Sequence, residues 1–192
     1  MFKPLKKYSD LSMVYFYITL SLYLILLVWI VIFKANVPYF PKRIAQTRAM
    51  TLAERFSIGS YPFKNIIECP PEASVLNRLK EHFLNVLVFL PFGILLPYII
   101  TVGTKIFVPL AFVTATIAVE GFQLFSGIGG FDVTDLLTNS LGGFIGLWMY
   151  NTVFSKMSPH IVNRVSFVIN FIAAPIAVFA IYNTVIHFDY YI

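Results

Sequence analysis

The chain has 192 residues, a net charge of +5, 58% hydrophobic residues and only 12% charged ones, where soluble globular proteins carry about 45–50% apolar and about 25% charged residues. A mean hydropathy of +0.79 excludes a charge-rich, water-facing surface, and the abundance of apolar residues excludes intrinsic disorder. A single cysteine, Cys69, excludes an internal disulfide, and there is no Cys/His spacing for a zinc site, no phosphate loop and no haem motif. Basic residues dispersed through so apolar a chain suit a membrane better than nucleic acid. The composition predicts an all-α integral membrane protein.

Crossing about 30 Å of hydrocarbon takes roughly 20 mainly apolar residues. Five segments qualify, at about 11–33, 83–102, 106–125, 132–154 and 165–186. The first runs from Leu11 to Phe33 without a charge, behind Lys3, Lys6 and Lys7. It exceeds a signal-peptide core and lacks a small-x-small cleavage site, so it reads as a retained helix. The residues from Lys34 to His82 form one long loop broken by Pro38, Pro41, Pro62, Pro70 and Pro71. Within it, Pro41–Phe56 reads either as a basic amphipathic helix lying on the bilayer or as an irregular basic loop. Pro91, Gly93 and Pro97 mark the second segment for a kink. The second and third are joined by Gly103, Thr104 and Lys105 alone, which predicts a helical hairpin. The domain expectation is a membrane domain over residues 11–154, with a further helix and tail over 155–192 packed on the same bundle.

Charge alone sets the orientation weakly. With the N-terminus in the cytoplasm, Lys3, Lys6, Lys7, Lys105, Lys156 and Arg164 lie inside, and Lys34, Lys42, Arg43, Arg48, Arg55, Lys64, Arg78 and Lys80 of the long loop lie outside. The loop opposes this arrangement, whereas the basic N-terminus before the first helix supports it, and N-inside is the expectation.

The hairpin puts the long loop, the start of the second segment, the end of the third and the start of the fourth on one membrane face. The polar residues concentrate there: Asn85 in the second segment, Glu120 and Gln123 in the third, and Asp132, Asp135 and Asn139 in the fourth. At 100° per residue the last three fall within an arc of about 60°. Gly142, Gly143 and Gly146 continue that stripe, with Gly142-x-x-x-Gly146 suited to close helix contact. Glu120 should lie about 9 Å below the end of its helix. An intramembrane carboxylate is costly and is a functional candidate by default. The expected site is therefore a shallow polar pocket in one leaflet, binding ligand through Asn85, Glu120, Gln123, Asp132, Asp135 and Asn139.

Blander readings stand beside this one. Glu120 and Gln123 suit a hydrogen-bonded strut, and Asp132 suits a helix cap with Asp135 beside the positive helix N-terminus. Capping, however, does not call for Glu120, Asn85 or Asn139. The acids call for a partner: Arg48, Arg55 or Arg78 as counter-ion, a divalent cation at Asp132 and Asp135, or an amine-bearing ligand. His82, at the start of the second segment, reads either as a group able to titrate near neutral pH or, more commonly for such a position, as a plain interfacial histidine.

Three motifs together resemble the VanZ-like family, integral membrane proteins named for a teicoplanin-resistance protein. They are Asn85-x-x-x-Phe89-x-Pro91-x-Gly93, Glu120-x-x-Gln123, and Phe131-Asp132-x-x-Asp135-x-x-x-Asn139-x-x-Gly142-Gly143-x-x-Gly146. Pro62-Phe63 matches a Pro-Phe pair in that family's first loop. Two positions depart from the pattern: Gly59 stands where the family often has asparagine, and Gly129 where it often has arginine. The resemblance implies a bacterial plasma-membrane protein, favours N-inside with the polar face toward the outer leaflet, and brings no reaction chemistry.

Three functions compete on this reading. The first is an envelope protein that binds a lipid-linked cell-wall intermediate or a lipoglycopeptide and alters glycopeptide sensitivity. The second is an intramembrane hydrolase or transferase with Glu120 as acid or base and Asp132 and Asp135 holding a cation. The third is a structural or assembly subunit. Oligomeric state is open.

Overall fold

The computed structural model describes residues 10–33, 40–68, 75–100 and 102–157, with isolated helical positions between 161 and 182. The elements among the described residues are all helical: α1 (Asp10–Phe33), α2 (Phe40–Ala49), α3 (Leu52–Ser57), α4 (Lys64–Ile67), α5 (Val75–Ile99), α6 (Thr104–Ser126) and α7 (Val133–Thr152), then a single 3-10 turn at Phe154–Lys156. The predicted first, third and fourth segments match α1, α6 and α7 to within two residues at each end. The fifth, at 165–186, lies outside the described residues apart from a few isolated positions. The second begins eight residues earlier than its apolar run, because α5 extends through a charged first stretch where Arg78 pairs with Glu81 at 3.6 Å.

Two helices are long and apolar enough to cross a membrane, over Arg78–Ile99 and Thr104–Ser126, and α1 contributes the shorter apolar run Val14–Val28. They stand antiparallel through a tight turn at Gly103, whose φ of +61° suits glycine and where a Cβ would strike the Phe107 ring. α7 runs parallel to α5 and packs chiefly against it, and next against α6. The α5–α7 seam is made of backbone. A Cβ at Gly93 would lie 2.0 Å from the Gly143 carbonyl, one at Gly142 2.3 Å from that of Val86, and one at Gly146 2.0 Å from that of Leu90. Gly143 instead faces α6, where the Phe112 ring lies 2.8 Å from its would-be Cβ. The predicted protein-contact face of α7 is thus where helices meet.

α5 runs through Pro91 and Pro97. Pro91 deprives the Leu87 carbonyl of its helical donor. One residue on, the Tyr23 hydroxyl of α1 donates to the Val88 carbonyl at 2.9 Å. α1 also buries Phe16 with Tyr98 and Tyr150, closing the end of the bundle away from the long loop. Leu96, Val108 and Phe112 form a second apolar layer between α5 and α6.

The Lys34–His82 loop, predicted as proline-broken, contains α2, α3 and α4. α3 starts with a capping box: the Glu54 carboxylate accepts from the Thr51 amide at 2.7 Å and from its hydroxyl at 2.8 Å. The amide bond first, then the hydroxyl, holds the Glu54 carboxyl below its ordinary value. That support is present above the unfolded value and fades as pH falls through the lowered one. Arg55 then ties the loop to the bundle. Its Nε donates to the Thr47 carbonyl at 2.8 Å, one terminal nitrogen to that of Arg48 at 3.2 Å and the other to that of Leu124 at 3.3 Å. These carbonyls lie in the last turns of α2 and α6, where helical donors run out.

Two consequences are measurable. Gly146→Leu or Gly93→Val forces α5 from α7 and should cost about 1–3 kcal/mol or more, whereas Gly121→Ala, with no atom within 4 Å of its would-be Cβ, should gain about 0.5–1 kcal/mol of helix stability; thermal unfolding in detergent reads both. Arg55→Lys cannot span three carbonyls with a planar fork, so chymotryptic cleavage in the 40–68 loop should accelerate while the helical content of the bundle is unchanged.

Candidate functional site

The six residues singled out from the sequence lie at one end of the α5–α6–α7 bundle. Glu120, in the last two turns of α6, is 1% exposed; its Oε2 accepts from the Asp132 backbone amide at 2.8 Å, across the α6–α7 connection. Asp132 is also the N-cap of α7, accepting from the Thr134 amide at 2.7 Å. Asp135, 3% exposed, accepts at Oδ1 from the Asn85 side-chain amide of α5 at 2.7 Å. Gln123 and Asn139 are buried as well. The Asn139 side-chain oxygen is enclosed with no hydrogen-bond donor among the described residues. Capping and burial are therefore both present: Asp132 caps its helix, and the cap amide is itself held by Glu120.

A buried carboxylate needs donors, and here each has one supplied by a different element. The capping arrangement explains part of this, since α7 opens with its free amides toward Asp132 and its positive end toward Asp135. The Asn85 bond is different. It crosses from α5 to α7 and depends on the glycine seam that lets the two backbones approach.

The loop closes over this end. Gly59 and Asp132 pair as a parallel bridge, with the Val133 amide donating to the Gly59 carbonyl at 2.9 Å. A Cβ at position 59 would lie 2.7 Å from the Asp132 Cα, so the glycine that departs from the family pattern permits direct backbone pairing here. Four residues on, the Phe63 amide donates to the Thr134 hydroxyl at 2.8 Å. Phe63 has a φ of +59°, in the left-handed region, which costs a bulky L-residue roughly 1–2 kcal/mol. Its ring meets His82 edge-on, with centroids 6.0 Å apart.

His82 was read from sequence as interfacial. It is 5% exposed, and its Nδ1 stands 3.7 Å from the Asp135 Oδ1. The i, i+3 spacing of His82 and Asn85 on one helix face was the signal for this placement. Thr134 carried no comparable signal, because its role depends on where the loop returns.

The proposed counter-ions fall elsewhere. Arg55 is committed to helix-end carbonyls, and Arg78 pairs with Glu81. Arg48 lies against Gly127, at the C-cap of α6. Gly129, the second departure, donates its amide to the Gln123 carbonyl at 3.2 Å. Among the described residues no three His, Cys, Asp or Glu side chains come close enough together to hold a metal ion; Asp132 and Asp135 instead accept the Thr134 amide and the Asn85 side chain.

No solved structure is detectably similar to this chain. The family model described as VanZ/LLP1 matches residues 20–155. A protein of Enterococcus faecium named Protein VanZ is 31% identical over 150 residues, covering 76% of this chain and 80% of its own length. The matched stretch contains α5, α6, α7 and every polar residue described above, and with it this apolar, membrane-type chain belongs to the VanZ/LLP1 family.

Proposed function

We propose that this protein is a multi-pass envelope protein of the bacterial plasma membrane that lowers glycopeptide susceptibility by binding an amphiphilic ligand at the polar end of its bundle. On this reading the chain crosses five times, at about 11–33, 75–99, 104–126, 133–152 and 165–186. The N-terminus is cytoplasmic and the 34–74 loop faces outward. The polar head of a lipid-linked cell-wall intermediate, or of a teicoplanin-type lipoglycopeptide, lies against Asn85, Glu120, Gln123, Asp132, Asp135 and Asn139, with its chain along the neighbouring helices.

The observation that carries the reading is the meeting of Glu120 with the Asp132 amide and of Asp135 with Asn85 at one end of three helices. Intramembrane acids are expensive and tend to be kept for function. Two features support a ligand over a mere strut. The buried Asn139 oxygen calls for a donor such as a hydroxyl or ammonium group. The left-handed Phe63 stores strain next to the acids. Family membership supplies the glycopeptide-resistance context. A second reading, an intramembrane hydrolase or transferase on a lipid-linked substrate, draws on the closeness of His82 to Asp135, a pairing suited to moving a proton.

The test uses amides that preserve shape. Glu120→Gln keeps a carbonyl oxygen for the Asp132 amide, and Asp135→Asn keeps one for Asn85. Expressed in a glycopeptide-susceptible bacterium, each should reach the wild-type level in the membrane yet return the teicoplanin inhibitory concentration to that of the empty-vector strain. Full retention of the phenotype would remove the acids from function, and a collapse of protein level would make the cluster a structural lock. His82→Gln should give the same loss, and turnover of a lipid-linked substrate by wild type alone would select the enzymatic reading.

A further inference from the structure

We infer that residues 51–68, α3 and α4 with the turn between them, form a platform seated in the headgroup layer of an anionic bilayer, with Leu52, Phe56, Ile58 and Ile67 entering the acyl boundary. The inference rests on the proposed reading of α5 and α6 as membrane-crossing helices.

Position comes first. Arg55 donates to the Leu124 carbonyl, two residues before α6 ends. Gly59 pairs with the N-cap of α7, and the Phe63 amide meets Thr134 in its first turn. The segment is therefore held at the level where two helices of the bundle end. α6 has 23 residues, about 35 Å at 1.5 Å each, slightly more than the ~30 Å hydrocarbon layer. Its last residues, and whatever is tied to them, lie at headgroup depth.

Exposure comes second. α3 buries no residue, yet Leu52, Phe56, Ile58 and Ile67 are 50%, 51%, 41% and 69% exposed. Phe56 stacks on Phe131, with centroids 5.3 Å apart, and still leaves half its surface open. Isolated exposed apolar side chains are ordinary, but this many on so short a segment call for a cover. The adjacent ends of the crossing helices are apolar and exposed too, at Phe83 and Phe125, so the platform continues a surface that already faces lipid.

Charge comes third. Residues 51–68 are balanced, with Arg55 and Lys64 against Glu54 and Glu68, and the positive excess suited to anionic headgroups lies just before them at Lys42, Arg43 and Arg48 of α2. The Lys64 ammonium donates to the Ser57 carbonyl at 2.6 Å, which holds α4 against the end of α3. Apolar in its exposed side chains and preceded by the basic α2, the segment has the make-up of an interfacial anchor whose apolar side enters the headgroup boundary by roughly 5–10 Å. Such a seat would set the polar cluster beneath it at a fixed depth.

The experiment places an environment-sensitive fluorophore at Phe56→Cys, at Ile67→Cys, and at Ile117→Cys near the middle of α6, each in the full chain carrying Cys69→Ser. Reconstitution uses vesicles of mixed phosphatidylcholine and phosphatidylglycerol with nitroxide lipids bearing the quencher shallow or deep. The labels at 56 and 67 should emit to the blue, resist aqueous iodide and be quenched more by the shallow nitroxide. The label at 117 should be quenched more by the deep one. In phosphatidylcholine alone the shielding at 56 and 67 should weaken, and equal shielding would overturn the electrostatic half of the inference. Iodide access at 56 and 67 with deep quenching at 117 would overturn the platform and leave the crossing helices standing. Protection from both iodide and nitroxide lipid would assign the cover to protein, such as a second copy, and also overturn it. Loss of deep quenching at 117 would overturn the crossing reading itself.

Discussion

Keeping carboxylates inside an apolar bundle requires a donor for each, and the upper end of this molecule is organised around that requirement. Glu120 takes the Asp132 amide and Asp135 takes the Asn85 side chain. Neither donor is local to its acid: one lies across a connection, the other on a neighbouring helix. The second contact is possible because Gly93, Gly142 and Gly146 bring the α5 and α7 backbones together. The glycine seam and the acidic cluster are thus one design. Side chains larger than hydrogen along the seam would separate Asn85 from Asp135 and remove one of the donors that a buried carboxylate needs.

The parts of this arrangement that obey helical periodicity were legible in the residue string. Apolar length located α1, α6 and α7, and the 3–4 spacing of Asp132, Asp135, Asn139, Gly142 and Gly146 identified a face that meets other helices. α7 itself falls outside the pair of helices apolar enough to cross by composition, and the reason is visible in the packing. Much of its surface looks at α5 and α6 rather than outward, so glycine, threonine and amide side chains replace the aliphatic ones that a lipid-facing helix needs.

In the loop, the helical alternative for Pro41–Phe56 meets α2 and α3, but the way the loop seats on the bundle was not legible, and the cause is chemical. Its fold depends on single groups meeting the ends of helices: Arg55 on the carbonyls of Thr47 and Arg48 in α2 and, far away in sequence, of Leu124 in α6, the Gly59 backbone on Asp132 and Val133, and Phe63 on Thr134. Helix ends expose donors and acceptors without any periodic signature, and arginines near acids look like counter-ions until the carbonyls that claim them are known. The partners of His82 were hidden for a related reason. A histidine near a helix start is ordinarily wet, and only the return of the Pro62–Phe63 turn over it explains its burial.

The vertical arrangement bears on what kind of chemistry the site suits. Going down from the loop, polar groups run through Asp132, Gln123, Glu120, Asp135, Asn85 and Asn139, and reach Thr116, whose hydroxyl turns back to the Phe112 carbonyl of its own helix. Directly beneath, the Phe112 ring presses on Gly143 and meets Phe144 edge-on at 4.9 Å. Below that come Val108 and Leu96, then Phe16, Tyr98 and Tyr150. A path for a polar solute would have to breach two apolar layers packed on a backbone seam too tight for any added methyl. A ligand held at the upper end would instead meet polar groups with its head and helix surface with its chain, without leaving one leaflet. The polar groups are thus confined to one end of the bundle and backed by packed apolar side chains, and the proposal of an amphiphilic ligand is drawn to match that division.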